Sequence, residues 1–293
     1  MSSRHPILSI TGSSGAGTTT VKETFQQIFI REKIDACYIE GDAFHRYNRM
    51  DMKQAMAAAE ESGNKHFSHF GPEANLFEEL ESVFRQYGDS GTGRTRHYVH
   101  DDAESECYGV PPGTFTDWEE FPEGSDLLFY EGLHGAINTP AANVAQYADL
   151  KVGVVPVINL EWIQKMHRDK EKRGYTDIDI TDTILRRMPE YIEYICPQFS
   201  QTDINFQRVP VVDTSHPFIA RWIPKADESL VVIRFANPKG IDFPYLLAMI
   251  RNSFMSRPNC IVIPGGKIDL AMQLIFTPLV LQLVERKRRA AQG

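Results

Sequence analysis

Short apolar runs stopped by glycine or aspartate alternate along this chain with segments whose apolar residues recur every three or four positions. Residues 6–10 (PILSI) form such a run, halted by a Gly/Ser loop, and predict a buried first strand. From Thr18 the period changes: Val21, Phe25, Ile28 and Phe29 fall at helical spacing, so a helix opens directly behind the loop. Residues 36–40 (ACYIE) predict a second strand, ended by Gly41-Asp42. A helix over 50–62 closes at Gly63, and another over 75–87 places Leu76, Leu80, Val83, Phe84 and Tyr87 on one side with Gly88 at its end. Residues 126–132 and 150–156 read as strands, 160–174 as a helix, and 88–95 and 108–121 as Gly- and Pro-rich loops. A helical pattern over 183–195 contains Pro189, which either kinks it or begins a new helix.

Strands alternating with helices predict an α/β fold, a mainly parallel sheet with helices on both faces. Residues 209–213, 230–235 and 260–263 add antiparallel edge strands in the C-terminal third. Residues 269–289 form a last helix whose basic tail suits the negative end of its dipole.

The chain has 293 residues, 42% hydrophobic and 24% charged, enough to bury a large core without a disulfide or metal. A single domain over 1–293 is the expected organisation. The net charge of −8 argues against nucleic acid or a membrane surface as partner, while leaving room for a local cationic cluster. No apolar signal region opens the chain, and no stretch is read as a membrane span. Cys37, Cys107, Cys196 and Cys260 are scattered, which suits reduced thiols in a cytoplasm and small buried side chains.

Between the first strand and first helix stand Gly12, Ser13, Ser14, Gly15, Ala16, Gly17, Thr18, Thr19 and Thr20. Strand, glycine-rich turn and helix make a phosphate-binding loop, in which backbone N–H groups cradle phosphate oxygens and the Thr19 hydroxyl would ligate Mg²⁺. Thr18 stands where such loops usually carry lysine, so positive charge must come from elsewhere. Lys165, Arg168 and Asp169 share one helical face, with Arg173 at the helix end. They are either a solvated surface or a lid bringing Lys165, Arg168 and Arg173 over the phosphates.

Asp42 follows the second strand, at the carboxyl edge where open α/β folds bind ligands. It can serve as general base for a hydroxyl nucleophile, or merely as a helix N-cap. His45, Arg49 and Lys53 are spaced by four behind it, and Arg96, Tyr98 and His100 alternate in RTRHYVH; together they suggest a pocket for a phosphorylated sugar. Glu131 ends the apolar run LLFYE, a position suited to holding Mg²⁺ opposite the loop. His66 and His69 lack partners at metal-ligand spacing and read as packing or loop residues.

The blocks GSSGAGTTT, IEGDAFHRYNR, TRHYVHDD, LLFYEGLHG, GVVPVINLEWIQKMHRDKEKRGY, PQFSQTDINFQRVPVVDTS and ESLVVIRF resemble the bacterial phosphoribulokinases from about residue 5 to the final helix. The resemblance implies transfer of the γ-phosphoryl group of ATP to D-ribulose 5-phosphate. It implies Asp42 as base, Asp169 as a second essential carboxylate and Lys165 on the phosphoryl group. Glu131 would lie on the Mg–ATP side, and His45, Arg49, Arg168 and Arg173 would bind sugar phosphate. It further implies a homo-octamer activated by NADH and inhibited by AMP, with Arg31, Arg186, Arg187, Arg234 and Arg257 at effector positions. Another P-loop kinase with a different acceptor, or a non-catalytic adenylate sensor, are the competing readings; a sensor would tolerate loss of Asp42.

Overall fold

A computed structural model describes residues 5–13 and 17–290, including every side chain in those ranges except those of Thr19, Lys172 and Arg173. In chain order the elements are β1 (Ile7–Gly12), α1 (Thr18–Glu32), β2 (Ala36–Glu40), α2 (Arg49–Glu61), α3 (Phe77–Ser90), β3 (Arg94–Thr95), α4 (Asp102–Tyr108), β4 (Glu119–Glu120) and β5 (Leu127–Gly132). There follow β6 (Leu150–Val155), α5 (Ile158–Arg173), α6 (Asp177–Glu190), α7 (Gln198–Gln201), β7 (Ile204–Pro210), β8 (Ser229–Phe235), α8 (Phe243–Met249), β9 (Phe254–Arg257), β10 (Cys260–Pro264) and α9 (Ile268–Ala290).

The main sheet has the order β2-β5-β1-β6-β7-β8-β10-β9. Its first five strands are parallel, and β8, β10 and β9 run antiparallel to their neighbours. Alternation along each strand divides the core. Leu8 and Ile10 of β1, with Leu127 and Phe129 of β5, face α1 and α9, where Phe25 stacks on Phe276 at 4.4 Å. Ile7, Leu128 and Tyr130 face the opposite side, against Phe77, Leu80, Val83, Phe84 and Tyr87 of α3. Burial on both faces explains why the central strands are nearly all apolar.

Several expectations shift. β7 lies at Ile204–Pro210, not 209–213, and pairs parallel with β6, so it belongs to the parallel half. α3 runs through buried Gly88 to Ser90, and Gly91, at φ 73°, supplies the left-handed C-cap. α4 fills a polar segment without apolar period; the Asp101 side chain caps it, accepting from Glu104 N at 3.0 Å. Helix α6 passes through Pro189 to Glu190 and continues as a π-turn at Tyr191–Ile195, the wider ring being one way a helix absorbs a missing N–H. Cys37 and Cys260 are buried, but Cys107 and Cys196 are exposed.

The segment Gly265–Ala290 is, against expectation, long and apolar enough by length and composition to cross a membrane. Its Ala271, Met272, Ile275, Phe276, Val280 and Val284 are instead packed into the main core, which accounts for the apolar composition.

Candidate active site

The phosphate-loop signature occupies the exit of β1. A Cβ at Gly12 would meet Thr18 Cγ2 at 2.8 Å and the Val154 Cβ and carbonyl oxygen at 3.0 Å, so only glycine fits as the strand turns toward α1. Gly17 then adopts φ 102° as the N-cap residue, with no side-chain cap hydrogen bond among the described residues. An uncovered helix N-terminus is an anion site by its dipole and its free donors. Ser14, Gly15 and Ala16 lie outside the described residues, as does the Thr19 side chain. Beside the loop, a cavity of about 280 Å³ is walled by Val21, Val154, Val157, Leu160, Phe206 and Ile268, with Gln164 and Arg208 at its margin.

Parallel register brings Glu40 of β2 and Ile10 of β1 level with Glu131 of β5. Burial raises the proton affinity of Glu131, opposed by a hydrogen bond from Thr18 and by the charge of Lys22. Lys22, one turn into α1, pairs with Glu40 at 2.5 Å. Mg²⁺ bound with a nucleotide needs only one or two protein oxygens besides phosphates and water, so the Glu131 carboxylate and a threonine hydroxyl at the loop suit it. Among the described residues no three His, Cys, Asp or Glu side chains cluster as a self-sufficient metal site.

Asp42 sits in a 3₁₀ turn at the end of β2, its side chain 38% exposed. His45 Nε2 lies 3.1 Å from Asp42 Oδ1, and His100 Nε2 lies 3.5 Å from Oδ2. Burial of the turn would raise the carboxyl's proton affinity; the charge and hydrogen bond of His45, with His100 and His69, outweigh it and hold Asp42 below the usual carboxylate range. His45 does not share a helix with Arg49 and Lys53: its backbone is extended, and α2 starts only after the Asn48 cap. Arg49 Nη2 donates to the His100 carbonyl at 2.7 Å, and Lys53 is exposed one turn further on. RTRHYVH is a strand only at Arg94–Thr95. Tyr98 packs its ring on His100 and Phe115, while Arg96 stacks 3.7 Å above Phe115 and donates to the carbonyls of Ala43 and His45 at 2.8 and 2.7 Å. Arg96 thus holds the turn that carries Asp42 and His45. His69 is a packing residue, its ring lying 4.4 Å from that of His45.

Helix α5 lays Glu161, Lys165 and Asp169 along one face at four-residue spacing. Asp169, 2% exposed, receives Lys165 Nζ and Arg168 Nε, the latter at 3.0 Å. Burial lowers the proton affinity of Lys165, Asp169 works against this, and Arg187 and Arg168 add to it. Buried Glu161 accepts from Tyr191 Oη at 3.1 Å, tying α5 to the π-turn. Arg173 ends α5, its side chain outside the described residues. Neither Glu161 nor Lys22 was among the residues picked out from sequence; both stand four positions from one that was, Lys165 and Thr18, and that helical spacing was the available signal.

The effector candidates fall on four elements. Arg31 closes α1 and donates to Gln273 and Thr277 of α9 at 2.9 and 2.8 Å. Arg186 reaches the Phe67 carbonyl, whereas Arg187 faces Lys165 and His69. Arg234 and Arg257 both lie opposite Cys260, on β8 and β9.

A phosphate loop between β1 and α1, a carboxylate ending each of β2 and β5, and a basic helix beside them define a P-loop kinase. The chain belongs to the phosphoribulokinase/uridine kinase family, whose model matches residues 7–215. It is 73% identical over 287 residues to the phosphoribulokinase of Nitrobacter vulgaris, covering 98% of this chain and 99% of that one. It is 65% identical over 292 residues to the chromosomal phosphoribulokinase of Cupriavidus necator, covering 100% of both. The solved phosphoribulokinase from Rhodobacter spheroides superposes with a TM-score of 0.91 at 63% identity, over 98% of this chain and 100% of that one.

Proposed function

We propose that this chain transfers the γ-phosphoryl group of ATP to the 1-hydroxyl of D-ribulose 5-phosphate, with Asp42 as the base. The observation that carries the reading is a carboxylate at the sheet's carboxyl edge, flanked by His45 and His100 and partly open to solvent. A carboxylate of such low proton affinity is ionised whenever acceptor arrives. It takes the hydroxyl proton late, as the oxygen–phosphorus bond forms, which suits the loose character of phosphoryl transfer.

The triphosphate lies along Gly12, Ser13, Ser14, Gly15, Ala16, Gly17, Thr18, Thr19 and Thr20, with its base in the apolar cavity beside Val21 and Phe206. Thr19 and Glu131 hold Mg²⁺, which neutralises phosphate charge when bound. Lys165 stabilises the transferring group, and Asp169 aims it by pairing with both Lys165 and Arg168. His45, Arg49, Lys53, Tyr98, His100, Arg168 and Arg173 surround the sugar phosphate. Regulation follows the same family pattern: NADH activates and AMP inhibits a cytoplasmic homo-octamer through Arg31, Arg186, Arg187, Arg234 and Arg257.

Asp42→Asn tests the central assignment. Turnover is expected to fall by about 10² or more with ATP affinity intact, measured by ADP release and nucleotide titration; unchanged turnover would remove Asp42 as the base.

A further inference from the structure

His45 is 8% exposed in side chain and has an acceptor at each ring nitrogen. Nε2 meets the Asp42 carboxylate, and Nδ1 lies 2.8 Å from Asn75 Oδ1. The orientation of Asn75 is fixed independently of the histidine. Its Nδ2 donates to the carbonyls of His69 and Gly71 at 2.9 and 2.6 Å, neither of which could accept from an amide oxygen. Oδ1 must therefore face His45. A neutral imidazole has one N–H and would set a lone pair against one of these two oxygens; only the doubly protonated ring satisfies both.

We infer that Asn75 is a positioning residue of the kinase, which locks His45 into the imidazolium form and so builds a fixed cation into the acceptor pocket beside the base. The pattern of proton affinities agrees with the geometry. Burial lowers that of His45, but Asp42 and the Asn75 hydrogen bond raise it overall, against a smaller opposing effect of Arg96.

Two neighbouring histidines are held below their ordinary proton affinity, in part by His45 itself. His69, from the loop before α3, is pushed well below its ordinary value by burial, then by His45 and Arg187. His134, after β5, bonds the Phe70 carbonyl at 3.1 Å and is held down to about 3, by burial first and then His45. His100 faces the other oxygen of Asp42, and Arg96 holds the His45 carbonyl. Sequence spacing gives no hint of Asn75, because it acts through a contact thirty positions away.

The inference rests on the acceptor reading for its kinetic consequence, but the charge itself can be measured without substrate. Side-chain ¹⁵N spectra of histidine-labelled enzyme, with His45→Asn assigning the signal, should show both His45 nitrogens protonated below a single titration midpoint. Asn75→Leu should move that midpoint to lower pH. The KM for ribulose 5-phosphate should begin to rise at lower pH by the same interval. Between the two midpoints it should be about tenfold above wild type, since a hydrogen bond to a charged group carries that much; below both midpoints it should return to within about twofold. If Asn75→Leu does not fold, Asn75→Asp, which keeps an acceptor at Nδ1, must hold or raise the midpoint. A neutral ring in active wild-type enzyme, an unmoved midpoint in Asn75→Leu, a lowered one in Asn75→Asp, or a KM defect equal at all pH would overturn the inference. Loss of ribulose 5-phosphate turnover with the ¹⁵N result intact would instead count against the acceptor.

Discussion

Asp42 and His45 are three positions apart, yet what each can do is set by residues far along the chain. Arg96 lies between the two: its guanidinium is clamped over Phe115 and Trp118 and spends its donors on the carbonyls of Ala43 and His45. Read from sequence, Arg96 was one of three alternating pocket residues; in the structure it is the brace behind the pocket. Arg96→Met keeps much of the stem but removes both charged hydrogen bonds, leaving two carbonyls to find water. The expected loss is about 1.5–3 kcal/mol of stability per the usual strength of such bonds, seen as a lower urea midpoint at unchanged slope. An unchanged midpoint would mean the turn holds itself. The place of Asp42 at the sheet edge was legible because it directly follows an apolar run stopped by glycine. Asn75 and Glu161 were not, because an amide or a carboxylate has no local signature when its partners are distant in sequence.

At the scale of elements, helix α5, separated from α6 by the Gly174 and Thr176 caps, carries the cations proposed to answer for the missing loop lysine. Lys165 is held by Asp169, at the same four-residue spacing that made the pair readable in sequence, and Glu161 one turn earlier accepts from Tyr191 of the π-turn. A lysine engaged in this way serves the transition state more than ground-state binding. Lys165→Met should therefore lower kcat by about 10²–10³ with a smaller change in the KM for ATP, the cost of one electrostatic contact to a transferring group. The reverse pattern would make Lys165 a nucleotide-binding residue only. The far end of α6 was undecidable from sequence, since Pro189 is compatible with a kink or a restart. The structure continues the helix into a π-turn, anchored where Glu190 accepts from Ser68 Oγ at 2.6 Å and Tyr191 reaches Glu161. Strand and helix alternation was readable over most of the parallel half, where apolar runs are long. It failed at α4, which is held by a cap rather than by an apolar face, and at β7, whose burial falls off toward Pro210 so that the apolar pattern misplaces its start.

For the whole molecule, the sheet gathers its chemistry at one edge: the phosphate loop leaves β1, Asp42 follows β2 and Glu131 ends β5. Helices α1 and α9 bury the opposite requirement, a large apolar face, and this explains why α9 has a membrane-like composition inside a kinase core. The family was legible because long ungapped blocks, rather than the loop alone, carried the resemblance. The arginines expected at effector positions lie on α1, α6, β8 and β9 and do not share an element. The central claim is the acceptor. ADP release with ATP and Mg²⁺ should show strong preference for ribulose 5-phosphate over uridine, pantothenate and other pentose phosphates, with stimulation by NADH. Tight ATP binding without turnover of ribulose 5-phosphate, or equal turnover of an uncharged acceptor, would contradict it.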